Sequence, residues 1–161
     1  MKVISWNVKG LRSPNKRMKI LRHLKRIKAD IALLQETHLS ASDFPRMKKL
    51  WVGTVLGSEA VGRKAGVLLL IHKNLPCSVL AVNSDSHGRL ISAHLKIGSK
   101  ELVVSNVYAP NSPGGSFYCE LSSWLLQNTN LPHLVGGDFN DTLRGRGLDG
   151  HVGGRLARSS R

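Results

Sequence analysis

Acidic residues are scarce in this chain. Lys and Arg number 24 against 10 Asp and Glu, which gives a formal net charge of +14 at pH 7. A surface this basic favours a polyanionic partner, nucleic acid first, although charge that only keeps a protein soluble gives the same composition. The 161 residues fit one domain, and their 41% hydrophobic content excludes a disordered chain and indicates a globular core.

Cysteines and long apolar runs are also few. Cys77 and Cys119 have no metal-ligand spacing and form no disulfide framework, which favours a reducing compartment. The longest apolar run, Val67 to Ile71, is far too short to cross a bilayer. The first residues contain no apolar core ahead of a small-residue cleavage site. We therefore expect an intracellular protein without membrane attachment.

The first helix carries charge of one sign. Ser13-Pro14 predicts its start, with a capping hydroxyl followed by proline at the first helical position, and the helix runs to about Lys28. Its apolar stripe comprises Ile20, Leu21, Leu24 and Ile27. Its basic face comprises Lys16, Arg17, Lys19, Arg22, Lys25, Arg26 and Lys28. No acid precedes Asp30, and since solvated faces usually mix signs, this face favours contact with phosphate or RNA.

Short apolar strands dominate the rest. Residues 51–56, 66–71, 77–82, 89–97 and 101–107 read as strands separated mostly by turns, which predicts antiparallel pairing. Alternation along 89–97 predicts a strand with one buried face. Short helices are predicted at 44–50 and 117–127.

Five polar side chains lie where apolar strands end. They are Asn7, Glu36, Tyr108, Asp138 and Asn140. Each residue alone also has an ordinary structural interpretation, as a turn former, a solvent-exposed acid at the rim or an aromatic side chain in the packing. If the backbone stays extended after Gly136 and Gly137, Asp138 and Asn140 share one side and Phe139 packs behind them.

Together these residues predict one site at a sheet edge. Their oxygen donors, without cysteine or a histidine pair, suit a hard cation such as Mg²⁺. A metal together with a basic surface points to phosphodiester hydrolysis.

Six motifs, in a fixed order over residues 2 to about 141, carry a family resemblance. They are Ile4-Ser5-Trp6-Asn7-Val8 with Gly10, Leu34-Gln35-Glu36-Thr37-His38, Gly66-Val67, Gly88-Arg89, Asn106-Val107-Tyr108-Ala109-Pro110-Asn111 and Gly137-Asp138-Phe139-Asn140. The sequence resembles the endonuclease/exonuclease/phosphatase family, in particular the endonuclease domain of non-LTR (long interspersed element) retrotransposons.

The resemblance implies an α+β fold, a four-layer α/β sandwich of two mainly antiparallel sheets flanked by helices. It implies a family domain over residues 1–141 with its second half incomplete. The composition after Asp141, with five arginines, many glycines and few large apolar residues, predicts an irregular Arg/Gly-rich tail over 142–161. The resemblance also implies a monomeric, nuclear DNA endonuclease that uses Mg²⁺, with Mn²⁺ as an alternative ion.

The resemblance further assigns roles. Glu36 would be the main metal ligand, assisted by Asn7, and Tyr108 would contact the scissile phosphate. Asp138 would orient or deprotonate the attacking water, and Asn140 would hold that water and the phosphate. The residues implied to contact nucleic acid are Lys9, Arg12, Lys16 and Asn111.

The sequence departs from the family near its end. The family's Ser-Asp-His motif is not matched, because Asp149-Gly150-His151 has the wrong spacing and no apolar strand leads into it. We therefore expect weak or no activity, and an uncovered sheet edge. Three alternatives stay open: a catalytically dead basic nucleic-acid-binding remnant, a phosphatase acting on lipids or small phosphoesters, and an unfolded product of a decayed element.

Overall fold

Two four-stranded sheets form the centre of the protein in the computed structural model, which describes residues 1–111, 115–126 and 130–140. The strands are β1 (Val3–Asn7), β2 (Ile31–Gln35), β3 (Gly53–Ser58), β4 (Val67–His72), β5 (Cys77–Ser84), β6 (Leu90–Ile97), β7 (Lys100–Tyr108) and β8 (His133–Asp138). The helices are α1 (Pro14–Arg26), α2 (Phe44–Leu50) and α3 (Gly115–Leu126), with a 3₁₀ turn at Ala41–Asp43. The tail predicted for 142–161 lies outside the described residues.

Each sheet contains one parallel pair at one edge. The first sheet has the order β1-β2-β4-β3 and the second β5-β6-β7-β8. Only β1–β2 and β7–β8 are parallel, so the prediction of mainly antiparallel sheets is confirmed. A parallel pair requires a crossover, which α1 and α3 provide. The parallel pairing sets Asn7 beside Gln35 and Tyr108 beside Asp138.

Apolar strands are buried on both faces, which produces four layers. Ala32 and Leu34 of β2 pack toward α1 and α2, whereas Ile31 and Leu33 pack toward the second sheet. A third cluster holds α3 against the outer face of the second sheet through Leu121. Double burial explains why β2 and β4 show continuous apolar runs instead of alternation. The predicted four-layer α+β sandwich is confirmed.

The start of α1 differs from the prediction in two details. Pro14 begins the helix, but the Ser13 side chain makes no capping hydrogen bond. Arg17, predicted on the basic face, has only 4% of its side chain exposed. Its Nε donates to the Leu11 carbonyl at 3.0 Å and its Nη2 lies 3.7 Å from Asp43 Oδ1. A basic helix position is thus buried because an acid from a distant turn pairs with it.

Asp43 has an unusual environment for a carboxylate. Burial by itself would raise the pKa of Asp43, but hydrogen bonds from the Ser40 backbone and hydroxyl, together with the Arg17 guanidinium, outweigh burial and lower it. The charged form of Asp43 therefore stabilises the segment that precedes α2.

The prediction of one buried face is wrong for the first half of β6. Leu90 and Ser92 lie on the face opposite Ile91, yet both are buried. The reason is α3, whose Trp124 donates from Nε1 to Ser92 Oγ at 2.8 Å. Among the helices described, none is long and apolar enough to span a membrane.

Candidate active site

The backbone around Glu36 is fixed from two sides. β2 ends one residue earlier, and the chain then leaves regular strand geometry, with a φ of +51° at Glu36. The Gly10 and Leu11 amides donate to the carbonyls of Glu36 and Thr37 at 2.6 and 2.7 Å. The Thr37 amide donates to the Gly66 carbonyl at 2.9 Å. These bonds hold Glu36 between two neighbouring segments and set the direction of its carboxylate.

One amide nitrogen contacts acids from both sheets at this edge. Asn7 Nδ2, at the end of β1, donates to Glu36 Oε1 at 2.9 Å and to Asp138 Oδ2 at 2.8 Å. Tyr108, at the end of β7, donates its hydroxyl to Glu36 Oε1 at 2.9 Å. Two carboxylates that are remote in sequence therefore converge on one point. The structure brings these four predicted residues together in one hydrogen-bonded cluster.

Asn140 joins the cluster by a different geometry from the one expected. Its φ is +47°, so the strand does not stay extended beyond Asp138. Its backbone amide donates to Asp138 Oδ1 at 3.0 Å, an Asx turn, and its Nδ2 donates to the Ala109 carbonyl at 2.6 Å. Phe139 is 37% exposed and lines the cleft, so the expectation that it packs behind the polar pair is wrong.

The phenol of Tyr108 is kept in its neutral form. Burial, followed by the hydrogen bond to Glu36 and its negative charge, raises the pKa of Tyr108 above its ordinary value. A side-chain hydrogen bond with Asn140 and the charge of Arg89 oppose the shift in part. The Arg89 guanidinium lies 5.4 Å from the centre of the Tyr108 ring. Tyr108 is therefore a hydrogen-bond donor at neutral pH.

Several residues around the cluster have a left-handed backbone conformation. Lys9, Glu36, His38 and Asn140 have φ between +47° and +56°, a region that side chains with a β carbon rarely adopt. Such conformations cost on the order of 1–3 kcal/mol each and persist where the surrounding structure enforces them. The cleft beside them has a volume of about 560 Å³. Its lining residues are Ser5, Asn7, Gln35, Gly137, Asp138, Phe139 and Asn140.

The residues predicted to contact nucleic acid are Lys9, Arg12, Lys16 and Asn111, and all lie near this edge or on α1. The Lys9 amide donates to Asn7 Oδ1 at 3.1 Å, and Lys16 Nζ donates to the Lys9 carbonyl at 2.8 Å. Arg12 donates to two backbone carbonyls at 2.7 and 2.8 Å, which occupies part of its guanidinium. Asn111 is exposed beyond the end of β7.

Four contributors to the site were missed by sequence reasoning. They are Ser5, Gln35, His38 and Arg89. Ser5 could have been found by period two, since it precedes Asn7 by two residues on β1. Gln35 is 1% exposed, and its Nε2 donates to Asn106 Oδ1 at 2.7 Å. His38, which the sequence analysis gave no role, has its Nε2 4.0 Å from Glu36 Oε2. Arg89 precedes a strand, so no strand-end signal marked it.

The donor set fits a hard divalent cation. It offers the Glu36 and Asp138 carboxylates with amide and phenol oxygens nearby. No three His, Cys, Asp or Glu side chains within the described ranges form a group that could hold a metal. Mg²⁺ suits such a sparse set, because it often takes one or two carboxylates and completes its shell with water and substrate phosphate. Asn7 turns its nitrogen toward both carboxylates, so a role as ligand would require its amide to rotate.

Two facing sheets with a carboxylate–amide cluster at their shared edge define the class of nuclease and phosphatase sandwiches. The chain belongs to the Endonuclease/Exonuclease/phosphatase family, whose sequence profile matches residues 4–158. This confirms the family predicted from the six motifs. Nucleases of this family generally depend on a divalent metal.

Relatives of this chain include nucleases and transposon proteins. It is 32% identical over 153 residues to an exodeoxyribonuclease of Bacillus subtilis, covering 87% of this chain and 58% of that one. It is 26% identical over 149 residues to the transposon TX1 uncharacterized 149 kDa protein of Xenopus laevis, covering 91% of this chain and 11% of that protein. The chain thus spans little more than half of the first relative and about a tenth of the second.

A solved structure supports the fold. The endonuclease domain of TRAS1, a telomere-specific non-LTR retrotransposon, superposes with a TM-score of 0.68. The match covers 88% of this chain and 61% of that domain, at 17% sequence identity.

Proposed function

We propose that this chain hydrolyses phosphodiester bonds of DNA as a metal-dependent endonuclease of the retrotransposon type. The observation that carries the proposal is the bridge from Asn7 to Glu36 and Asp138, which joins acids of both sheets in one hydrogen-bonded cluster. The net charge of +14 favours a polyanionic substrate. A nuclear monomer acting on DNA is part of the same proposal.

Asp138 is the residue that prepares the attacking water. Both its oxygens are held, Oδ1 by the Asn140 amide and Oδ2 by Asn7. A water beside this carboxylate would give it a proton and attack phosphorus opposite the 3′ oxygen. The bond between phosphorus and that oxygen would break, and a proton from solvent would complete the 3′-hydroxyl, leaving the phosphate on the 5′ side. Tyr108 is a neutral donor that can turn from Glu36 to a phosphate oxygen.

Glu36 would hold Mg²⁺, with Mn²⁺ as a substitute. The positive charge of the ion would stabilise the negative charge that develops on the phosphate. The chain's own cations lie around the same edge. Lys9 and Arg12 on the β1–α1 loop, and Arg89 beside Tyr108, would attract and orient the DNA backbone.

Nicking of supercoiled plasmid with Mg²⁺, Mn²⁺ or EDTA tests the proposal. We expect Glu36→Gln and Asp138→Asn each to reduce nicking on the order of a hundredfold or more. Glu120→Gln is the matched control, since it neutralises an exposed carboxylate on α3. Nicking by both site variants at the wild-type rate would exclude the proposed site.

We further propose that the 161-residue polypeptide cleaves more slowly than family members with the Ser-Asp-His motif. Loss of a group that stabilises charge in the transition state costs on the order of 10²–10³ in rate. The segment Asp149-Gly150-His151, which does not match the motif, lies outside the described residues. Parallel nicking assays with a family endonuclease that carries the motif would decide it, and equal rates would refute this part.

A second candidate is a catalytically dead nucleic-acid-binding remnant. The exposed basic residues of α1 favour it, because they can bind phosphate without any chemistry. Under this alternative, Glu36→Gln leaves DNA affinity in EDTA nearly unchanged and the wild type shows no metal-dependent nicking. Metal-dependent nicking that Glu36→Gln abolishes would favour the enzyme.

A further inference from the structure

One face of α1 carries a row of three cations and one histidine outside the cleft. Lys19, Arg22, His23 and Arg26 follow the spacing i, i+3, i+4, i+7, so they align along the helix. They line a shallow depression of about 230 Å³. Lys19, Arg22 and Arg26 are exposed, and none of the three takes part in an ion pair within the described part of the chain. We call these four residues the α1 stripe.

An exposed tryptophan lies against the α1 stripe. Trp6 of β1 is 36% exposed, and its ring meets the His23 ring edge to face at 5.5 Å and 72°. The Arg26 guanidinium contacts His23 Nδ1 at 3.1 Å, so the three side chains form a continuous surface. By contrast, Trp51 is 3% exposed within the core. Trp6 thus offers aromatic surface to solvent beside cations that have no acidic partner among the described residues.

The α1 stripe is continuous with the edge of the cleft. Lys16 lies one turn before Lys19 and reaches the Lys9 carbonyl, and the Lys9 amide binds Asn7. At a rise of 1.5 Å per residue, Lys16 to Arg26 spans about 15 Å. That length accommodates a few consecutive phosphates of an extended strand.

We propose that the α1 stripe and Trp6 bind a single strand of nucleic acid, with phosphates on Lys19, Arg22 and Arg26 and a base on Trp6. A basic track beside an exposed aromatic ring is how proteins bind single strands, because unpaired bases can stack on the ring. The bases of a duplex are already stacked and cannot reach Trp6 on a surface. The surface contains neither Glu36 nor Asp138, so binding there does not require cleavage.

Fluorescence anisotropy tests the proposal, with the full chain, EDTA to prevent cleavage, and a labelled oligo(dT) of about 12 nucleotides. The variant is Lys19→Glu/Arg22→Glu. The matched control is Lys48→Glu/Lys49→Glu, which makes the same charge change on exposed positions of α2. We expect the stripe variant to weaken binding on the order of tenfold and to reduce the salt slope of log affinity by about 1.4, because each phosphate contact contributes about 0.7. The control should leave the slope unchanged.

Three results would overturn the proposal. They are equal losses in the two double variants, an unchanged salt slope, or competition by duplex as strong as by single strand. If charge reversal prevents folding, judged by a circular dichroism melt, Lys19→Gln/Arg22→Gln takes its place. Quenching of tryptophan fluorescence by oligo(dT) should disappear in Trp6→Phe, and quenching that persists would exclude stacking on Trp6. Plasmid nicking, measured in parallel, reports on the cleft separately. Absence of single-strand binding by the α1 stripe would therefore not weaken the nuclease proposal.

Discussion

Two adjacent glycines before Asp138 offer a comparison of one chemical change in two environments. A β carbon on Gly137 would overlap the Val107 carbonyl oxygen and lie 2.7 and 2.8 Å from the Val107 carbonyl carbon and amide nitrogen. These are backbone atoms of the paired strand and cannot rotate away, and the φ of +155° at Gly137 itself favours glycine. Among the described residues, a β carbon on Gly136 would meet only the Leu33 Cδ1 methyl, at 2.7 Å.

The difference in environment sets the expected magnitudes. Overpacking costs about 1–3 kcal/mol and backbone strain about 1–3 kcal/mol, so we expect Gly137→Ala to lower the free energy of unfolding by about 2–6 kcal/mol. Gly136→Ala should cost about 1 kcal/mol or less, since a methyl can move and alanine restricts the unfolded chain. Gly137→Ala also displaces Asp138, and a shift of about 1 Å costs on the order of a hundredfold in rate.

Urea denaturation followed by circular dichroism measures the stability of both variants. Plasmid nicking with Mg²⁺, well below both melting transitions, measures the placement of Asp138. Equal stability and equal nicking of Gly136→Ala and Gly137→Ala would refute the reasoning, because the close approach of β7 and β8 at Gly137 would then not hold Asp138.

Three further predictions concern buried groups. Asn106→Ala should lower the free energy of unfolding by about 2–4 kcal/mol, because it breaks three hydrogen bonds between the sheets, whereas exposed Asn83→Ala should stay within about 0.5 kcal/mol in the same urea assay. The folded-state pKa of Asp43 is lowered, so its charge stabilises the fold above its unfolded pKa, and that stability is lost as pH falls. Asp43→Asn should lower the free energy of unfolding by about 1–3 kcal/mol at pH ~7, and the difference in stability between wild type and variant should narrow by pH ~3. Burial raises the pKa of the Cys77 thiol, so mass spectrometry should show iodoacetamide modifying Cys77 more slowly than exposed Cys119.

Each of these has a clear contrary result. Equal losses of stability in Asn106→Ala and Asn83→Ala would show that the hydrogen bonds of Asn106 do not hold the sheets together. A constant difference between wild type and Asp43→Asn from neutral to acid pH would show that the charge of Asp43 contributes nothing. Faster alkylation of Cys77 than of Cys119 would contradict the burial of its thiol.

The layers of the fold could be predicted because buried elements have recognisable apolar patterns in the sequence. Runs such as Val67 to Ile71 fit strands covered on both faces, and Ser13-Pro14 marked the start of α1 within a residue. The burial of Arg17 was not predicted because its partner Asp43 lies far along the chain, and a helical wheel cannot show a distant acid. The burial of Ser92 was missed for the same reason, since the covering residue Trp124 belongs to another layer.

The candidate site could be predicted as a set of residues but not as a geometry. Four strand ends carried the five polar side chains, and parallel pairing at both sheet edges brings those ends together. The turn at Asn140 was not predicted, because the Asx bond to Asp138 competes with extension only when the local contacts are known. The same turn leaves Phe139 lining the cleft instead of packed behind Asp138 and Asn140.

Convergence of the site depends on how the two sheets are aligned, and a buried polar pair sets that alignment. Asn106 of β7 is fully buried and donates to the carbonyls of Leu34 and Leu68 in the first sheet, while its Oδ1 accepts from Gln35. A slip of the sheets would leave these amides without partners in an apolar interior, at about 1–3 kcal/mol for each group. Apolar contacts alone tolerate such slips far better. Glu36 follows Gln35 directly and Tyr108 comes two residues after Asn106, so the register that satisfies the buried pair also brings the Tyr108 hydroxyl to Glu36.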